Sequence, residues 1–259
     1  MTKYLVLLLI ILLMPITYSG TIDPDTNDEQ YISYGQKYKY IGKISGSYAD
    51  GTHYEASAVA IDDNHLLTAA HVIENAKSII FILDDKQFDI KHIIVPTEFK
   101  SEKFNIADIA LGYSEKSFKL AEYPELYDET NEVGQICSIS GYGFSGTFIS
   151  GGTVCDNKKR AGNNYIEAIE MDILVCDVSH KNDKNYVDME FLIANGDSGG
   201  GLFIANKLAG INSCIFGTTK TLHSKYGENS GHTRISKYRD WIIRNKHKND
   251  LTSKNPAIQ

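Results

Sequence analysis

From Tyr38 onward the chain is a succession of short apolar runs broken by turn residues. The runs at 40–45, 56–61, 65–68, 78–83, 90–95 and 109–113 have the length and the β-branched or aromatic content of strands. Asp62-Asp63-Asn64 supplies turn chemistry between two of them. Residues 114–134 lose the pattern, and Pro124 with the polar run 128–132 predicts a connector. Strands resume at 135–140, 146–155, 164–178, 201–205 and 208–214. One helix is predicted, over 236–247. Ser236 is placed to cap it, Ile235, Tyr238, Trp241 and Ile242 share one face, and Lys246, His247 and Lys248 suit its negative end. No internal repeat is visible. The pattern predicts an all-β chain in two halves of similar size, about 31–120 and 130–235, closed by the terminal helix and followed by a polar tail at 248–259.

The first residues break with this pattern. Lys3 precedes an apolar run at 4–14, then Pro15 and the small residues Thr17, Ser19 and Gly20. Eleven apolar residues are too few to span a bilayer comfortably, so residues 1–19 are expected to be a secretory signal peptide cut after Ser19 rather than an anchor. Residues 20–30 are acidic and polar and predict a disordered leader or propeptide. The exported product, secreted or periplasmic, is expected to leave the membrane once the signal is removed.

Composition narrows the picture further. The 259 residues carry a net charge of −7, and loss of Lys3 with the signal peptide makes it one unit more negative. An acidic exported chain offers no electrostatic footing for nucleic acid or an anionic membrane. Hydrophobic content of 42% supports a proper core. Cys137, Cys155, Cys176 and Cys214 contain no C-x-x-C pair, which argues against zinc; export permits disulfides, and Cys155–Cys176, flanking an expected strand pair, is the favoured pairing. No metal or organic cofactor is implied.

Candidate chemistry centres on Gly196-Asp197-Ser198-Gly199-Gly200. Glycines around a serine let the backbone turn sharply and leave amides unshielded, as an exposed nucleophile and an oxyanion site require. Leu66-Leu67-Thr68-Ala69-Ala70-His71 ends a strand in two small residues before a histidine. Asn105-Ile106-Ala107-Asp108-Ile109-Ala110-Leu111 places an acid inside an apolar run, where it needs a partner.

In their order, these three segments resemble the chymotrypsin/trypsin family of serine proteases. Further resemblance lies in Cys137-Ser138-Ile139-Ser140-Gly141-Tyr142-Gly143, in Gly210-Ile211-Asn212-Ser213 and in the stretch from His232 through Trp241-Ile242, covering roughly residues 31–247. The resemblance implies two six-stranded antiparallel β-barrels with a C-terminal α-helix, and a secreted, monomeric serine endopeptidase acting on protein or peptide substrates. It implies Ser198 as nucleophile, His71 as general base and acid, Asp108 as the group orienting the imidazole, the amides of Gly196 and Ser198 as oxyanion hole, and Ser213 as support for Asp108. It places Leu192, Asn195, Ser213, Cys214, Ile215 and His232 around the substrate pocket, with Leu192 at its floor and Ile215 narrowing it. Small or medium apolar side chains before the cut are expected, not Arg or Lys.

Departures are equally specific. The family pairs the acid before the nucleophile, here Asp197, with an amine freed by cleavage before Ile-Val-Gly-Gly, a segment this chain lacks. Cleavage near Tyr31, or a non-standard activation, is expected instead. Most family disulfides are missing, which resembles bacterial members. Two other readings compete. One is the G-x-S-x-G elbow of α/β-hydrolases, which needs a helix after the serine. The other is a secreted binding or effector protein on a protease fold with little or no catalysis. A periplasmic chaperone-protease would need an added peptide-binding domain, for which the tail is too short.

Overall fold

The computed structural model describes residues 20–100, 106–217 and 223–254. The expected signal peptide lies outside them. In chain order the elements are β1 (Gly20–Ile22), α1 (Asp28–Gly35), β2 (Ile41–Tyr48), β3 (His53–Ala60), β4 (His65–Thr68), α2 (Ala70–Ile73), β5 (Ala76–Leu83), β6 (Lys86–Asp89), β7 (His92–Ile94) and β8 (Ala110–Tyr113). The second half holds β9 (Ile136–Gly141), β10 (Ser145–Thr147), β11 (Arg160–Glu170), β12 (Ile173–Cys176), β13 (Phe191–Leu192), β14 (Gly201–Ile204), β15 (Lys207–Gly217) and β16 (Glu228–Arg234), and α3 (Ile235–Lys254) ends the described chain.

The two halves differ in closure. The second is a closed six-stranded barrel, β11-β12-β16-β15-β14-β9. The first is a seven-stranded sheet in the order β6-β5-β2-β3-β4-β8-β7, not a six-stranded ring, with β6 and β7 as its ends among the described residues. The seventh strand comes from a β5–β6 hairpin turned at Asp84 and Asp85, both with left-handed φ of 47° and 60°. The turn between β3 and β4 is built as its sequence indicates: the Asp62 carboxylate accepts from the amides of Asn64 and His65 at 2.9 and 2.7 Å. The expected strand at 146–155 shrinks to β10, which pairs with β1.

The terminal helix buries Ile235, Tyr238 and Ile242 in the same core as Leu67, Phe81 and Leu111. Lys246 adds a 2.7 Å ion pair to Asp62. Ser236 does not cap the helix; its hydroxyl donates to Glu132, which also grips Arg234. The helix runs on to Lys254, through much of the expected tail. Among the described residues no helix is long and apolar enough to cross a membrane.

Residues 20–30, expected to be a disordered leader, are ordered as β1 and the start of α1. β1 is a buried strand between β10 and β13, and Asn27 caps α1 by accepting from the Glu29 amide at 2.9 Å. The acid that looked solvating in sequence, Asp28, meets a partner 132 residues away. The fully buried Arg160 guanidinium donates to both Asp28 oxygens, at 2.6 and 2.7 Å, and to Asp156. Asp28→Ala leaves that guanidinium short of one carboxylate. It is expected to cost about 3 kcal/mol, read as a lower denaturant midpoint with unchanged slope.

The expected Cys155–Cys176 disulfide is absent, and all four cysteines are free thiols. Cys155 sits in the loop before β11, its sulfur 3.9 Å from Glu55 Oε2, whereas Cys176 is buried inside the barrel with its sulfur 3.9 Å from that of Cys137. The second half is therefore held by packing and strand pairing.

Candidate active site

Three connections deliver the chemistry to the seam between the halves. β4 is a fully buried strand that ends at Thr68, and Ala69-Ala70 carry the chain into the one-turn helix α2, whose second residue is His71. Asp108 lies just before β8, after Ala107, whose left-handed φ of 55° turns the chain at that point. Ser198 lies on the loop from β13 to β14. That loop leads into a strand, which removes the α/β-hydrolase elbow.

Asp108 is fully buried, and four hydrogen bonds fix it. Its Oδ1 accepts from the His71 amide at 2.9 Å, and its Oδ2 meets His71 Nδ1 at 2.7 Å and accepts from Ser213 Oγ at 2.5 Å. Thr233 Oγ1 donates to its carbonyl at 2.8 Å. A carboxylate only accepts, so Nδ1 must carry the proton and the neutral ring keeps its lone pair on Nε2. His71 and Ser198 border one cavity of about 250 Å³, together with Ile193, Ala194, Asn195, Ser213, Cys214 and Ile215. An imidazole whose basic nitrogen is Nε2, bordering the same cavity as a serine, is chemically suited to take a hydroxyl proton.

The loop around Ser198 is set by its carbonyls. The Phe144 amide donates to Asn195 O at 2.5 Å; the Gly200 amide and Asn212 Nδ2 donate to Asp197 O at 2.9 and 3.2 Å. In a trans peptide the N–H points opposite to its carbonyl. The N–H groups of Gly196 and Ser198, which share those two peptide planes, therefore each project away from these partners. Two of the glycines are obligatory here. Gly196 has φ +92°, and Gly199 has φ +84° with no room for a Cβ, which would lie 2.1 Å from Ser57 O.

Asp197 is fully buried. Burial pushes its carboxyl up to about 7, against the pull of the Ala194 and Gly143 amides, which donate to it at 2.8 and 2.7 Å, and of Arg160. These amides stand where the expected amine was sought. Tyr31, the residue near the expected activation cut, is fully buried on α1, so a cut beside it has to begin by unfolding that helix.

Two residues placed at the substrate pocket do not reach it. Leu192 is fully buried on β13 and packs with Phe148 and Val178. His232 is fully buried on β16, its Nδ1 2.9 Å from Asn212 Oδ1 and its Nε2 3.0 Å from Ser230 Oγ; burial pushes its pKa down to about 3, so it is neutral. Asn195, Ser213, Cys214 and Ile215 do line the cavity. Sequence reasoning overlooked Asn212 and Phe144, whose part is visible only through the carbonyls they hold.

The Trypsin family profile matches residues 32–242. The fold is similar to that of HL collagenase, with a TM-score of 0.66 and 19% identity over 81% of this chain and 94% of that one. It is also similar to neuropsin, a serine protease expressed in the limbic system of mouse brain, with a TM-score of 0.65 and 19% identity over 82% of this chain and 96% of that one. No curated protein matches the sequence. The chain belongs to the trypsin family and has its serine-protease fold.

Proposed function

We propose that this protein is a secreted serine endopeptidase of bacterial type that cleaves peptide bonds through an acyl-enzyme. One observation carries the reading: His71, held at Nδ1 by the buried Asp108, and Ser198 line a single cavity. Ser198 attacks the scissile carbonyl, His71 takes its proton and returns it to the leaving amine, and Asp108 holds the ring and stabilises its charged form. The Gly196 and Ser198 amides receive the developing oxyanion. The hydrogen bond from His71 Nδ1 to the buried Asp108, with Ser198 on the same cavity, favours catalysis over a binding protein built on the same fold.

The cavity itself supports the substrate preference. It is small, its walls include Ile193, Ala194 and Ile215, and among the described residues no acid lines it to select Arg or Lys. Digestion of a mixed peptide library tests both points. Cleavage after small or medium apolar residues is expected, with the active species still carrying α1; cleavage confined to Arg or Lys refutes the specificity, and no cleavage refutes the activity.

A further inference from the structure

Gly196 has no side chain, so steric crowding does little to stop the peptides on either side of it from rotating. A rotation there swings an oxyanion amide out of place. Whatever fixes this loop must act through hydrogen bonds, and one residue of the other half supplies most of those that cross to it. Ser57, on β3, is fully buried and reaches the loop through two of its three polar groups, the amide and the hydroxyl.

Its hydroxyl donates to Gly196 O at 2.9 Å and accepts from the Tyr142 amide at 2.9 Å. Its amide donates to Ser198 O at 2.9 Å. Its carbonyl accepts from Thr68 Oγ1 at 2.9 Å, which ties the same strand to β4, the strand that ends before His71. The Gly196–Asp197 peptide is thus held at both ends, by Ser57 Oγ on its carbonyl and by Ala194 O on its N–H at 3.0 Å. The Ser198–Gly199 peptide is likewise held by the Ser57 amide and by Asn212 O.

The backbone contacts of Ser57 survive any side chain, but the hydroxyl contacts do not. The neighbours Ala56 and Ala58 have no group to replace them. We propose that Ser57 is a positioning residue for the reaction: its hydroxyl locks the Gly196–Asp197 peptide, the plane that lies between the two peptides carrying the Gly196 and Ser198 amides, and so keeps rotation at Gly196 from turning those amides away from the oxyanion. The inference rests on the serine-endopeptidase reading above and adds to it a residue from the opposite half.

A residue that aims an oxyanion donor acts on the transition state and leaves ground-state binding alone. Misplacing a catalytic group by about 1 Å costs up to about 100-fold. The test compares wild type, Ser57→Ala and Ser57→Cys on one peptide substrate, and measures inhibition by a peptide aldehyde whose hemiacetal carries the tetrahedral oxygen. For Ser57→Ala we expect kcat to fall about 10- to 100-fold with KM within about twofold, and aldehyde affinity to fall by the same factor as kcat. Ser57→Cys, of nearly the same shape and with a weaker donor, is expected to lose less.

An Ala variant with wild-type kcat overturns the inference, as does one that raises KM while aldehyde affinity holds. If the Ala variant does not fold, the Cys variant decides alone: unchanged kcat and aldehyde affinity overturn it. A wild-type protein inert toward every peptide removes the endopeptidase reading and this inference together. An active wild type with an equally active Ser57→Ala removes this inference only.

Discussion

Replacing Ser198 with Ala is expected to lower kcat for peptide hydrolysis by about 10⁶-fold, with substrate binding little changed. The size follows from interdependence. His71 has no proton to take once the hydroxyl is gone, and Asp108 has no imidazolium to stabilise, so one substitution silences the group. What remains is what the amide pair and substrate binding provide, about 10³- to 10⁴-fold over water. Steady-state kinetics on a fluorogenic peptide measure it, and a loss of only a few-fold would mean that another nucleophile does the work.

The second large effect concerns the acid. Asp108→Asn is expected to reduce kcat by about 10⁴-fold while the fold stays intact. The carboxylate accepts from His71 Nδ1 at 2.7 Å, which leaves Nε2 as the basic nitrogen. An amide at this position has one acceptor, and the Ser213 hydroxyl and the His71 amide compete for it. If the NH2 faces the ring, Nδ1 must become the acceptor and the proton moves to Nε2, the wrong side for a base. The kinetic loss should come with little change in thermal midpoint. A variant within tenfold of wild type would show that Asp108 does not set the tautomer.

The residues proposed to carry the chemistry each sit in a local signature: a histidine after a strand and two alanines, an acid inside an apolar run, a serine between glycines. The strand at 65–68 was legible to the residue, since an Asx turn and a helix start bound it on either side. What was not legible depends on distant partners. Residues 20–30 look solvated until Arg160 is brought to Asp28. Leu192 and His232 were misplaced because their surroundings come from distant strands: Leu192, on β13 beside β1, packs against Phe148 and Val178. The β15–β16 register slips between Asn212 and Cys214, and His232 then faces Asn212 inside the barrel. Ser57 carries no local mark at all, because a serine in a run of alanines gains meaning only from the loop opposite. The hairpin that gives the first half its seventh strand turns on two aspartates, a weaker signal than the Asn-Gly or Asp-Gly pair that usually marks such a turn.

The central claim is that Ser198 is an activated nucleophile in the folded protein. Labelling with a fluorophosphonate probe, followed by mapping of the modified peptide, tests it most directly. The account predicts one labelled residue, Ser198, with labelling lost on heat denaturation and absent from Ser198→Ala. Labelling that persists in Ser198→Ala, or wild-type protein that stays unlabelled while folded, would contradict it.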